Sequence, residues 1–153
     1  MTYLIVIKIG LAGLSQTYYL RKHFNCQSFG AAFFGIFYAL SGYMAAYSWN
    51  IMWLDCIVLF PLILLGLERL VKQGRWGMYC ICLGLSILSN YYISIMICIY
   101  MVLYFIALLI MEKRKTLKEY GKTFLRFCLS SLGAGGFAAA VLVPEVMALQ
   151  STA

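Results

Sequence analysis

The sequence predicts an all-α integral membrane protein, a single bundle of about six transmembrane helices over residues 1–153 with both termini outside. Hydrophobic residues make up 64% of the 153 residues and charged residues only 11%. Soluble domains are about half apolar and about one quarter charged. The apolar residues form long runs, and the basic residues lie in short segments between them. These three observations together place the chain in a bilayer.

The charge and the cysteines exclude several other classes. The net charge of +7 would suit a nucleic-acid-binding protein, but here the basic residues are confined to the segments between apolar runs. That distribution is typical of the cytoplasmic loops of a membrane protein. The six cysteines lie mostly inside apolar runs without paired CxxC spacing, and there is one histidine. We therefore predict no metal site, no cofactor and no nucleic-acid partner.

The basic residues predict the topology. All lysines and arginines except Lys8 fall into three clusters, around residues 21–22, 69–75 and 113–126. The positive-inside rule places these clusters in the cytoplasm. Each apolar stretch between two clusters must then cross the membrane an even number of times.

Spans of about 20 residues are needed to cross a hydrocarbon core of about 30 Å. Residues 76–111 would span about 54 Å as one helix, so they are predicted to form two helices joined at the polar break Ser89–Tyr92. A re-entrant hairpin is the alternative for this stretch. The predicted helices cover residues of about 3–20, 28–47, 54–71, 76–89, 92–111 and 122–143, with the last ending at Pro144–Glu145.

The outside segment between the second and third helices carries the most informative side chains. Trp49 and Trp53 are four residues apart and would share one face of a helical turn, with Asn50 between them. Asp55 follows where the next helix is predicted to begin. One interpretation is an interfacial tryptophan belt with Asp55 as a helix-start acid. The other is a binding site for a polar group such as a sugar.

Four further positions have a structural and a functional interpretation. Lys8 either extends its ammonium to the outer surface or binds an anion such as a lipid phosphate. Asn90 and Tyr91 suit either a turn at the membrane interface or a binding site. Glu145 is either a loop acid or a catalytic group. At the cytoplasmic side, Glu68 and Arg69 are predicted to belong to a solvated charged rim, and His23 to be exposed.

The polar signature resembles that of the bacterial membrane protein YfhO family. The resemblance covers essentially the whole chain in order, and its motifs lie at residues 8–14, 37–44, 47–50, 53–55, 61–66 and 89–93. That family is similar in architecture to the GT-C type of polytopic glycosyltransferases. The resemblance implies a bacterial plasma-membrane, multi-pass protein that takes a sugar from an undecaprenyl-phosphate carrier. The acceptor would be a cell-envelope polymer such as teichoic acid.

The same resemblance assigns expected roles. Lys8 is the candidate for the carrier phosphate, and Asp55 for the catalytic group. The candidates for binding the sugar or the acceptor are Trp49, Asn50, Trp53, Asn90, Tyr91 and Glu145. The expected partners are thus membrane lipids, the lipid-linked sugar and the polymer.

One departure from the family pattern leaves alternatives open. GT-C enzymes usually carry a catalytic acid in a long outer loop after the first helix, and this chain has no such loop. The chain is therefore expected to be an internal fragment of a longer protein, inactive without the remainder. A transporter or flippase subunit and a non-catalytic membrane scaffold are the alternative functions.

Overall fold

The computed structural model describes residues 2–25, 29–47, 50–112 and 117–151. Within these ranges the chain is helical and contains no strand, which confirms the all-helical bundle. The helices are α1 (Thr2–His23), α2 (Phe29–Ala39), α3 (Gly42–Tyr47), α4 (Ile51–Gln73), α5 (Gly77–Ser89), α6 (Tyr91–Met111) and α7 (Leu117–Ser151).

The predicted second helix is divided into α2 and α3. The backbone departs from the helix at Leu40 and Ser41, and α3 begins at Gly42. The backbone carbonyl oxygen of Ser41 accepts a hydrogen bond from the Ala45 amide at the start of α3. Serine is a favoured residue at helix starts, and glycine has low helix propensity, so this pair favours a break within an otherwise apolar run.

Several helix ends differ from those predicted, and two of the differences affect candidate site residues. α4 begins at Ile51, three residues earlier than expected, so Trp53 and Asp55 lie inside the helix. α7 continues through Pro144 to Ser151, so the predicted end at Pro144–Glu145 is wrong. Proline is tolerated inside membrane helices because neighbouring groups and local adjustments can satisfy the freed backbone carbonyl.

When α2 and α3 are counted as one segment, successive helices alternate in direction. α1 runs parallel to α4, because Lys8 contacts Ile51 at one end and Tyr19 contacts Glu68 at the other. α7 runs parallel to α5, since Tyr79 pairs with Ser131 while an added Cβ at Gly84 would meet Phe137. This alternation brings the basic residues at 21–22 and 69–75 to one end of the bundle, which we call the basic end. The opposite end, with Lys8, Asp55 and Asn90, is the Asp55 end.

α4 is the central helix and contacts α1, α5 and α6. Its buried side chains include Leu54, Ile63 and Leu67. The close contact with α5 depends on Gly66, where an added Cβ would lie 2.7 Å from the Tyr79 amide nitrogen. A small residue at this position lets the two backbones approach closely.

The outer surface of the bundle is apolar. Large hydrophobic side chains are exposed along α2 and α6, among them Phe33, Phe37, Ile99 and Leu103. Within the described ranges, three helical segments are long and apolar enough to cross a membrane: Phe29–Tyr47, Ile51–Gln73 and Tyr91–Met111. α5 has 13 residues, which corresponds to about 20 Å, less than the thickness of a hydrocarbon core.

Candidate functional site at the Asp55 end

Lys8 and Asp55, two of the three charged residues predicted for the site, form an ion pair. The Lys8 Nζ lies 2.7 Å from Asp55 Oδ1 and donates a second hydrogen bond of 3.0 Å to the Ile51 carbonyl oxygen. The parallel α1 and α4 bring the two side chains together. The lysine side chain is 18% exposed and the aspartate 39%. The pair is therefore accessible, and the carboxylate more so than the ammonium.

The pairing corrects the helix-start interpretation of Asp55. The first turn of α4 contains no acidic residue, and Asp55 is the fifth residue of the helix. Interaction with a helix dipole falls off within the first turn, and Asp55 lies beyond that turn. The charge that compensates Asp55 is instead the Lys8 ammonium. The sequence identified both residues but not their contact, because nothing in either segment fixes the register of α1 against α4.

An aromatic cluster lies on the neighbouring segment. The rings of Tyr43 and Tyr47 are 4.8 Å apart between centroids, and those of Tyr47 and Trp53 are 5.4 Å apart. Trp49 lies outside the described residues. Asn50 precedes α4, where its backbone carbonyl accepts from the Trp53 amide, and its side chain forms no capping hydrogen bond. The described cluster is thus Tyr43, Tyr47 and Trp53.

An apolar groove of about 340 Å³ opens beside these residues. It includes Cys56, the residue after Asp55, and Tyr43 of the aromatic cluster. The Tyr38 hydroxyl donates 2.9 Å to the Ile57 carbonyl oxygen, which joins α2 to α4 along the groove. The remaining lining residues are Ser41, Phe60, Ile93, Met96 and Ile97.

The second predicted turn packs against the same part of α4. Asn90 Oδ1 accepts 3.1 Å from the Ile93 amide and so caps α6. The Cys56 thiol lies 3.6 Å from the Ser86 carbonyl oxygen and 3.9 Å from that of Asn90. The capping role supports the turn interpretation of Asn90, while Tyr91 remains about half exposed.

Glu145 lies on α7, after Phe137 in the chain. The contact between Gly84 and Phe137 fixes the direction of α7. Because α7 runs parallel to α5, its backbone continues past Phe137 toward the Asp55 end. The side chain of Glu145 lies outside the described part of the structure.

The basic end contains a buried cluster that sequence reasoning missed. The Glu68 side chain is 4% exposed, so its assignment to a solvated rim is wrong. Its Oε1 accepts from the hydroxyls of Tyr19 at 2.9 Å and Tyr104 at 2.7 Å, and lies 2.7 Å from His23 Nδ1. Lys72 Nζ lies 3.8 Å from Oε2. Donors from three helices satisfy this one carboxylate. Of these contacts, only that between Glu68 and Lys72 joins residues close in sequence, at i,i+4.

Comparison with known proteins identifies the family. The family model described as "Bacterial membrane protein YfhO" matches residues 1–153. The chain belongs to the YfhO family of bacterial membrane proteins. No curated protein and no solved structure matches it. The family match and the three apolar helices place this YfhO member in a membrane.

Proposed function

We propose that this YfhO chain forms part of a multi-pass plasma-membrane glycosyltransferase. The donor is a sugar linked to undecaprenyl phosphate, and the acceptor is a cell-envelope polymer such as teichoic acid. The positive-inside rule orients the basic end toward the cytoplasm, which leaves the Asp55 end at the outer face. A lipid-linked donor and an envelope polymer would meet at that face.

The observation that carries the proposal is the accessible Lys8–Asp55 pair beside an apolar groove. A polyprenyl-phosphate sugar has three parts: an apolar chain, a phosphate and a sugar ring. The groove suits the apolar polyprenyl chain, and the Lys8 ammonium suits the phosphate. Aromatic faces such as that of Trp53 suit a sugar ring. α4 contributes a residue to each of the three: Trp53 to the aromatic cluster, Asp55 to the ion pair and Cys56 to the groove.

The pair also suits the chemistry of transfer. When the donor phosphate binds Lys8, it replaces Asp55 as the partner of the ammonium and leaves the carboxylate free to act as a base. An acceptor hydroxyl then attacks the anomeric carbon and transfers its proton to Asp55. The bond between the anomeric carbon and the phosphate oxygen breaks, and undecaprenyl phosphate leaves with its negative charge held by Lys8.

The other predicted residues have proposed roles around this pair. Asn50, Tyr91 and Glu145 are assigned to the sugar or the acceptor because their backbones lie toward the Asp55 end. Trp49 is assigned the same role from the sequence pattern alone. Asn90 acts through its cap on α6, which holds the second turn against α4.

The test separates binding from transfer. The chain is reconstituted in vesicles, and undecaprenyl phosphate binding is measured for the wild type, Lys8→Met, Lys8→Arg and Asp55→Asn. Lys8→Met is expected to weaken binding by about tenfold or more, since a hydrogen bond to a charged group is lost. Lys8→Arg should largely restore it. Asp55→Asn should bind at least as well as the wild type, because it removes the competing carboxylate.

Transfer is followed in membranes from cells that make the whole protein containing this sequence, from a radiolabelled undecaprenyl-phosphate-linked sugar to a teichoic acid acceptor. Asp55→Asn is expected to lose about 100-fold or more of the rate, the contribution of a positioned general base. Lys122→Gln, which removes an exposed charge from α7 at the opposite end, is the matched control. Undiminished binding by Lys8→Met or undiminished transfer by Asp55→Asn contradicts the proposal. Carrier movement across the vesicle without transfer would instead indicate a flippase.

A further inference from the structure

The basic end contains a cavity of about 340 Å³ that the proposed transfer reaction does not use. Four cationic side chains line it, together with Glu68: Lys22, Arg69, Lys72 and Arg75. The cavity lies where α1 ends, where α4 ends and where the segment leading to α5 begins. It is open to the surface, and its lining is predominantly polar.

The carboxylate in this cavity is already satisfied. Glu68 receives the Tyr19 and Tyr104 hydroxyls and His23 on one oxygen, and Lys72 lies near the other. Its charge is therefore offset within the protein. It contributes little repulsion toward an anion that enters the cavity from the side of the remaining cations.

The three other cations lack a carboxylate partner among the described residues. The Arg69 guanidinium contacts two neutral groups, the Tyr18 hydroxyl at 3.4 Å and the Met78 sulfur at 3.3 Å. Lys22 and Arg75 are exposed and form no ion pair within the described ranges. The positive charge of Lys72 offsets the negative charge of Glu68. The remaining net positive charge of the cavity comes from Lys22, Arg69 and Arg75. Such a cluster attracts an anion, and guanidinium groups bind phosphate with matched geometry.

The aromatic residues at this end indicate the depth of the cavity in the bilayer. Phe24 follows His23 at the end of α1, Trp76 follows Arg75, and both side chains are more than half exposed. Tryptophan is enriched at the level of the lipid head groups. The cavity thus lies where lipid phosphates lie, and basic pockets between helices at the cytoplasmic side bind anionic head groups.

We propose that this cavity binds the phosphate of an anionic phospholipid in the inner leaflet. The phosphate contacts Arg69 and Arg75, with Lys22 at the rim, and the acyl chains follow the apolar surface of the bundle. The Glu68 cluster holds α1, α4 and α6 in the arrangement that forms the cavity. This site is independent of the Lys8–Asp55 pair, which lies at the other end of α4.

The test uses the full chain in nanodiscs of phosphatidylcholine, with and without phosphatidylglycerol, and native mass spectrometry of the lipid retained. The wild type is expected to retain phosphatidylglycerol in preference to phosphatidylcholine. Arg69→Gln and Arg75→Gln should each lower that preference by about fivefold, and the double variant by about 25-fold. Lys118→Gln and Lys122→Gln remove charges from α7 outside the cavity lining and should retain wild-type preference.

The outcomes separate the sources of the phosphate. Inorganic phosphate added in excess should not displace the lipid, and full displacement would show a free-anion site instead. Equal losses in the α7 control variants would show a general surface charge effect and overturn the proposal. Melting temperature and helix content of each variant are measured in phosphatidylcholine alone, so that a variant that fails to fold is recognised. If Arg69→Gln fails to fold, the double variant Lys22→Gln/Arg75→Gln, which changes two exposed residues, replaces it. Undiminished preference for phosphatidylglycerol in that double variant overturns the site.

Discussion

The two ends of α4 carry one acid each, and the two acids are held differently. Among the residues that the structure describes, Asp55 forms one ion pair, with Lys8, and its side chain is 39% exposed. Glu68 is 4% exposed and is satisfied by two tyrosines and a histidine, with a lysine nearby. An acid with one ion-pair partner, such as Asp55, can lose that partner when the partner binds a substrate. An acid held by donors from α1, α4 and α6 is part of the structure, and its removal takes away the acceptor that those donors share.

Replacement of Glu68 should produce the largest change. Glu68→Ala leaves the Tyr19 and Tyr104 hydroxyls and His23 without their shared acceptor. Leaving a buried donor without its acceptor costs about 1–3 kcal/mol for each hydroxyl. We expect that loss in the free energy of unfolding, measured by denaturant titration in detergent micelles. Glu68→Gln keeps a carbonyl acceptor and should lose less.

The matched control for this comparison is Asp55→Asn, which changes the acid at the other end of the same helix. An exposed ion pair contributes about 0–1 kcal/mol, so this variant should unfold near the wild-type concentration of denaturant. If Asp55→Asn destabilises the chain as much as Glu68→Ala, the distinction between the two acids is wrong.

The packing around the two acids also differs, and Gly66 tests that difference. A Cβ at Gly66 would lie 2.7 Å from the Tyr79 amide nitrogen and 2.8 Å from its Cα, so the α5 backbone itself would have to move. Overpacking of this kind costs about 1–3 kcal/mol. We expect Gly66→Ala to lower the unfolding free energy by that amount in the same titration.

Gly10 in α1 provides the control for this substitution, because an added Cβ there meets nothing within 4 Å. Gly10→Ala should be neutral or stabilise the chain by up to about 1 kcal/mol, since alanine favours the helix. Equal destabilisation by both substitutions would indicate a general response to alanine and not a close contact between α4 and α5.

The comparison of the two ends also shows what the sequence could predict. The helices were predicted from the lengths of the apolar runs, and their directions across the membrane from the positions of the basic clusters. The candidates Lys8 and Asp55 were identifiable because charged groups are rare in apolar helices. The continuation of α7 through Pro144 was not, because the tolerance of a proline depends on what surrounds the helix.

The burial of Glu68 was beyond sequence reasoning for a related reason. Tyr19, His23 and Tyr104 are 49, 45 and 36 residues away from Glu68 in the chain. Tyrosine in a membrane helix is more often an interfacial or packing residue than a hydrogen-bond donor to a carboxylate. Only the arrangement of three helices shows that these donors converge on one acid.

The smallest expected effect is the coupling between Lys8 and Asp55, and it sharpens the contrast with Glu68. In a double-mutant cycle of Lys8→Met and Asp55→Asn, we expect a coupling free energy of about 0.2–1 kcal/mol for unfolding. The reason is that both side chains keep contact with solvent or head groups. The same cycle measured on undecaprenyl phosphate binding should show opposite effects: Lys8→Met weakens binding, while Asp55→Asn does not. A coupling above about 3 kcal/mol in unfolding would place this pair in the same structural class as the Glu68 cluster. It would also remove the basis for a carboxylate that is released when substrate binds.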